Sequence, residues 1–168
     1  MKKLYFVRHG ESLLNAQRIF TGQINTPLSD EGRAQARIAG SMAEQFKFDL
    51  IVSSPLVRAL ETAQLIAEQV GYPLDKIIVN DLFKERYMGS LEGQSWDKGP
   101  EDETHYPDME SLVALQARAK AGLAFLNSLD ADTILLASHG SFGVALRTVI
   151  DPKFIAEEPE NAHIVQLV

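Results

Sequence analysis

The sequence predicts an α/β fold, a three-layer α/β/α sandwich around a largely parallel sheet, and three observations carry that reading. Short β-branched and aliphatic runs alternate with segments of helical apolar spacing along the whole chain. Two of the runs, Leu4-Tyr5-Phe6-Val7 and Thr133-Ile134-Leu135-Leu136-Ala137, are followed at once by Arg8-His9-Gly10 and Ser138-His139-Gly140. Both read as buried strands that stop at a glycine turn. Thirdly, 168 residues that are 45% hydrophobic and 23% charged suit one globular domain over residues 1–168. In open parallel sheets, ligands bind in the crevice outside the carboxyl ends of the strands. Both imidazoles are therefore expected at that edge, which points to chemistry between two histidines.

The elements follow in order. After the first strand comes an irregular stretch to about Leu28, and then Ser29 and Asp30 offer N-caps to a helix with Ala34, Ile38, Ala39, Met42 and Phe46 at helical spacing. Leu50-Ile51-Val52 is the second strand. Ser54-Pro55 reads as an N-cap followed by Pro at the first helical position, with Leu56, Leu60, Ala63, Ala67 and Val70 on one face and Gly71 just past the end. Ile77-Ile78-Val79 is a third strand, and a loop from about Lys84 to Pro107 leads to a helix carrying Leu112, Leu115, Ala119, Leu123 and Leu126. The strand ending at His139, a helix from Ser141 and a last strand from His163 to Val168 complete the chain.

Composition excludes several classes of function. A net charge of −7 argues against a general nucleic-acid binder, whose affinity comes largely from phosphate neutralisation by Lys and Arg. No apolar run approaches the ~18 residues of a membrane span, and the N-terminus lacks a signal-peptide core, so a cytoplasmic protein that binds no membrane is expected. Without cysteine there is no thiolate nucleophile or zinc-thiolate site. Nothing clusters His with carboxylates at metal-ligand spacing, so no metal and no cofactor are expected. Nothing in the sequence specifies an oligomeric state.

Three blocks carry a resemblance: Leu4-Tyr5-Phe6-Val7-Arg8-His9-Gly10-Glu11-Ser12, Ser53-Ser54-Pro55-Leu56-Val57-Arg58-Ala59-Leu60-Glu61-Thr62-Ala63, and Ser138-His139-Gly140. Phe20-Thr21-Gly22, Pro27-Leu28-Ser29 and Glu85-Arg86 lie between them. In this order they resemble the histidine phosphatase superfamily, in its phosphoglycerate-mutase-like branch, over nearly the whole chain. The resemblance implies that His9 is transiently phosphorylated and that Asn15 and His139, with Arg8 and Arg58, form the phosphate pocket. It places Glu85 at the position of the proton donor, and Thr21, Gly22 and Arg86 at positions that bind phosphoglycerate in the mutases.

The residue types suit that chemistry. A phosphate monoester dianion repels nucleophiles, so a catalyst needs positive charge on the non-bridging oxygens and a nucleophile in line with the leaving oxygen. Arg8 and Arg58 offer planar forks that match phosphate and stay charged. The backbone N–H groups of Gly140 and Ser141, at the start of a predicted helix, offer further anion-binding dipole. Glu85 would protonate the leaving oxygen and then accept a proton from the water that hydrolyses phosphohistidine. Taken singly, His9 reads as a structural histidine, Arg58 as a surface helix residue, Asn15 as a turn residue and Glu85 as an ion-pair partner of Arg86. His105 and His163 lie outside every motif.

Between Tyr87 and Ala117 the chain has only Lys98 against seven acids, Glu92, Asp97, Glu101, Asp102, Glu103, Asp108 and Glu110. Where the mutases carry Tyr and Lys after their Glu-Arg, it has Met88 and Trp96. Either these acids oppose a second anionic group on the substrate, or they form a solvated loop. The expectation is a metal-independent phosphomonoesterase acting on a small-molecule phosphate monoester, or on a phosphoprotein. The alternatives are a mutase-type phosphotransferase and a phosphate-binding pseudoenzyme that recognises a phosphorylated partner.

Overall fold

The structure, a computed structural model, describes residues 2–98, 104–155 and 157–168. The strands β1 (Lys3–Arg8), β2 (Leu50–Ser53), β3 (Ile78–Val79), β4 (Thr133–Ser138) and β5 (Ile164–Gln166) form one sheet in the order β3-β2-β4-β1-β5. All pairings are parallel except β1 with β5, where the chain returns antiparallel at the edge. The helices are a single turn α1 (Leu13–Ala16), then α2 (Asp30–Ala43), α3 (Val57–Val70), α4 (Leu112–Ser128) and α5 (Gly140–Ile150).

Strand alternation sorts the core into two layers. Leu4, Phe6, Ile134 and Leu136 point to the side covered by α4 and α5, where they meet Leu115, Leu126, Phe142 and Leu146. Tyr5, Val7, Leu135 and Ala137 point to the side covered by α2 and α3, against Ala39, Ala63, Ile66 and Ala67. Each fully buried Leu, Ile or Phe contributes about 1.5–3 kcal/mol. The expected three-layer sandwich is thus formed, and β4 in its centre is buried on both faces.

Several boundaries and faces differ from the sequence reading. Of the expected α2 face only Ala39 is buried; Ile38 and Met42 are 61% and 66% exposed, and Phe46 lies beyond the helix and packs on Tyr5. The inward face is Gly32, Ala36, Ala39, Gly40 and Ala43, because small residues let α2 lie close on α3. A Cβ at Gly40 would meet Gln69 Cβ at 2.7 Å. Ser54 does not cap α3, which starts at Val57 behind Leu56 with no side-chain cap, whereas Gly71 ends it in the left-handed conformation as expected. The third strand begins one residue late, Leu112 on α4 is exposed, α5 begins at Gly140, and β5 is shorter than the run from His163 to Val168. The Lys84–Pro107 loop encloses a small core of its own, in which Phe20 packs on Met88, Leu91 and Met109.

The loop after β1 is held against the start of α2. Ser29 caps α2 by accepting from the Gly32 N–H, and its hydroxyl donates to Glu11. A Cβ at Gly32 would stand 2.0 Å from the Glu11 carbonyl oxygen, and one at Gly10 would stand 2.3 Å from that of Gly32. Backbone fills both places, so Gly32→Ala is expected to destabilise the protein by about 1–3 kcal/mol through overpacking. A thermal melt checks this, and an unchanged Tm would mean that the loop yields freely.

Candidate active site

The parallel pairing of β1 with β4 sets Arg8 beside Ser138, so the next residues, His9 and His139, leave neighbouring strands together. Their ring centroids lie 5.2 Å apart. The central position of β1 and β4 therefore turns two motifs 130 residues apart in sequence into one site. The His9 backbone is fixed on several sides: its N–H donates to Ser138 O at 3.0 Å, and its carbonyl accepts from Asn161 Nδ2 at 2.8 Å. The Gly10 N–H donates to Thr62 Oγ1, whose hydroxyl donates to the Arg58 carbonyl one turn earlier on α3.

The His9 side chain is equally constrained. Nδ1 lies 2.7 Å from the Gly10 carbonyl oxygen, which only accepts, so Nδ1 carries the proton. Nε2 keeps its lone pair and accepts from Arg58 Nε at 3.2 Å. Burial, joined by the charges of Arg58 and Arg8, lowers the His9 pKa well below its ordinary value and keeps the ring neutral. Burial and the same arginines lower His139 likewise. The Ser54 hydroxyl, expected as a helix cap, accepts from the Leu56 N–H and lies 2.8 Å from His139 Nε2. Two buried nitrogens, Nε of Arg8 and Nδ1 of His139, have no hydrogen-bond partner among the described residues.

Arg58 is almost wholly buried, and its burial pulls its pKa down to about 10, so it remains charged at neutral pH. The sequence suggested a fork turned to phosphate, but Nη1 donates to Ile24 O and Nη2 to Gly22 O. Arg58 thus clamps the loop of Thr21 and Gly22 to the site while Nε addresses His9. Gly22, at φ +48°, holds a backbone conformation that a side chain would strain, and Glu92 Oε1 would have to move from a Cβ placed there.

Glu85 follows the turn after β3. Its Oε1 accepts from the backbone N–H of Arg86 and Phe142, and Oε2 accepts from that of Ser141 at 3.3 Å. The start of α5 therefore holds the Glu85 carboxyl, whereas the sequence reading assigned the Ser141 N–H to phosphate. Burial is the largest influence on Glu85 and raises its pKa; the nearby Glu158 charge acts in the same direction, against the hydrogen bonds and Arg58.

These groups open on a cavity of about 520 Å³ lined by Arg8, His9, Arg58 and Glu85, by the expected Asn15, Thr21, Gly22 and Ser141, and by Ile19, Phe20, Met88 and Trp96. Asn15 Oδ1 accepts from the Ser12 N–H and caps α1, and the Thr21 hydroxyl donates to Ile19 O. His139 and Gly140 are not among the residues that line the cavity. Arg86 is a correction: it is buried away from this cavity, donates to Glu110 O, and lines a second cavity of about 460 Å³ beside α4 and α5. The sequence reading missed Ser54, Glu158 and Asn161. The last two lie in a segment between α5 and β5 without motif or periodicity.

The acidic run also reads differently. Glu92 accepts from the Gln23 and Met88 N–H groups, Asp108 from Ser90, and Glu110 pairs with Arg118 at 2.7 Å. Glu92, Asp97, Asp108 and Glu110 do not line the cavity; Glu101, Asp102 and Glu103 lie outside the described residues. His105 and His163 do not line it either. Among the described residues no group of three or more His, Asp or Glu is placed to hold a metal ion, and no helix is long and apolar enough to cross a membrane.

Comparison with known proteins places the chain among phosphatases and mutases of one family. The family model described as the histidine phosphatase superfamily (branch 1) matches residues 4–154. An uncharacterised phosphatase, PhoE, of Bacillus subtilis (strain 168) is 36% identical over 96% of this chain and 86% of its own length. A probable phosphoglycerate mutase, GpmB, of Enterobacter sp. (strain 638) is 33% identical over 94% and 79%. The structure of a mycobacterial glucosyl-3-phosphoglycerate phosphatase complexed with VO3 superposes with a TM-score of 0.87 at 26% identity, covering 99% of this chain and 92% of that one.

Proposed function

The chain belongs to the histidine phosphatase superfamily, and from that premise we propose that it hydrolyses a small phosphate monoester without a metal ion, through a phosphohistidine on Nε2 of His9. The observation that carries the reading is the His9 hydrogen bond from Nδ1 to Gly10 O, which fixes a neutral tautomer with its Nε2 lone pair facing the Arg58 guanidinium. In the first step Arg58 Nε gives up its hydrogen bond to Nε2, the freed lone pair attacks phosphorus and the P–O bond to the leaving alcohol breaks. Glu85, whose pKa burial raises, gives its proton to the departing oxygen. In the second, the Glu85 carboxylate takes a proton from water, the water oxygen attacks phosphorus, and the P–N electron pair returns to Nε2.

Arg8 Nε and His139 Nδ1 support the electrostatic part. A buried donor left unpaired costs about 1–3 kcal/mol, which phosphoryl oxygens would recover. Hydrolysis is favoured over phosphoryl transfer to a second ester because no lysine is among the described residues that line the cavity and Arg86 lines the other one. The test is phosphate release from aryl and alkyl phosphates after exhaustive EDTA treatment, with no bisphosphoglycerate added. Turnover is expected to persist and vanadate to inhibit, as a trigonal-bipyramidal analogue of the transition state. Activity restored only by a divalent metal, or isomer formed only with bisphosphoglycerate, would overturn the reading.

A further inference from the structure

One charge in the cavity has no part in the two steps above. Glu158 is the only carboxylate besides Glu85 among the described lining residues, and with Ser141 it borders both cavities. Its Oε2 lies 3.0 Å from Arg8 Nη1, and its carboxylate rests on the start of α5, where a Cβ at Gly140 would meet Oε2 at 2.8 Å. The backbone that carries it is pinned to the end of β1: Pro159 O accepts from Arg8 Nη1, Asn161 Nδ2 donates to His9 O, and the Ala162 N–H donates to Arg8 O. The charge is thus held in place although the side chain is half exposed.

Glu85 takes the Ser141 and Phe142 amides, so two carboxyl groups share one helix start on adjacent residues. A leaving oxygen must come to Glu85 to be protonated, and a charged group three or four bonds beyond it then lies in the field of Glu158. We infer that Glu158 is the specificity-determining residue of this site, a fixed negative charge that turns away phosphoesters bearing a second anionic group and admits those whose leaving alcohol is neutral or cationic. The inference rests on the proposed hydrolysis for what leaves, but the charge effect acts on binding itself. Phosphate remains acceptable because Arg8, Arg58 and His9 line the cavity. The described acids of the Tyr87–Ala117 run, turned to amides, Arg118 or the protein surface, do not have this role.

The experiment compares glycerol 3-phosphate with 3-phosphoglycerate, which differ at one carbon by a hydroxymethyl group against a carboxylate. Dissociation constants are measured by calorimetry on His9→Ala protein with Glu158 intact or changed to Gln, and kcat/KM on proteins that retain His9. Glu158→Gln is expected to shift the affinity ratio toward 3-phosphoglycerate by roughly tenfold in low salt, less at high ionic strength, as for a partly exposed charge. An unchanged ratio, equal loss for both ligands through a loosened Arg8, or no binding of either would overturn the assignment. A shifted affinity ratio without phosphate release from either ester would leave Glu158 in its role and dismiss the hydrolytic reading instead.

Discussion

His9→Ala is expected to abolish turnover, lowering kcat on the order of 10⁴- to 10⁶-fold, as removal of a nucleophile does where the surrounding groups act as a unit with it. The wild type, stopped by rapid quench, is expected to yield a phosphoenzyme labile to acid and stable to base, and the variant to yield none. The ring is buried and bonds to the Gly10 carbonyl and to Arg58 Nε; neither bond belongs to the strand ladder, so the fold should tolerate the change and an unchanged circular dichroism spectrum is the control. Normal activity in His9→Ala would end the mechanism. So would a phosphoenzyme in the variant, since the phosphoryl group would then reside elsewhere.

The second large effect is at Glu85 and depends on the leaving group. A nitrophenolate departs without a proton, whereas the alkoxide of an alkyl phosphate draws on most of the ~100- to 10,000-fold that a positioned acid contributes. Glu85→Gln should therefore damage alkyl phosphate hydrolysis far more than transfer from p-nitrophenyl phosphate to His9. Because the same change removes the base for the second step, nitrophenolate should appear in a burst ahead of phosphate. The pH profile carries a matching signature. Glu85 must be protonated for the first step, so kcat/KM falls as pH rises through its raised pKa, while His9, lowered by burial and Arg58, stays competent below the usual histidine value. The descending limb should appear with alkyl and not with aryl phosphates, and should vanish in Glu85→Gln. Equal, small losses with both substrates would return Glu85 to a structural role on α5.

The fold was legible from sequence because each strand carries its own signal. The runs at Leu4, Leu50 and Thr133 are long enough in β-branched and aliphatic residues to declare buried strands, and Ser29 and Gly71 mark helix ends by local hydrogen bonding and backbone freedom. Faces were less legible. Periodicity weighs large apolar residues, so it chose Ile38 and Met42 on α2, while the contact with α3 selects for close approach and buries Gly40 and Ala43.

By itself, then, the sequence determined the α/β class and the strand ends that carry His9 and His139, since strands are local features of the chain, and through a family resemblance it pointed to Arg58 and Glu85 as candidates. Only the tertiary structure decided what each group faces. It placed β1 beside β4 and so brought the histidines together, spent Arg58 on the loop carbonyls of Gly22 and Ile24, and gave the start of α5 to Glu85. It also turned Arg86 to another cavity and brought Glu158 to Arg8. Hydrogen-bond partners and electrostatic neighbours are contacts between segments remote in sequence, and no local pattern encodes which of several available donors or charges a buried group will meet.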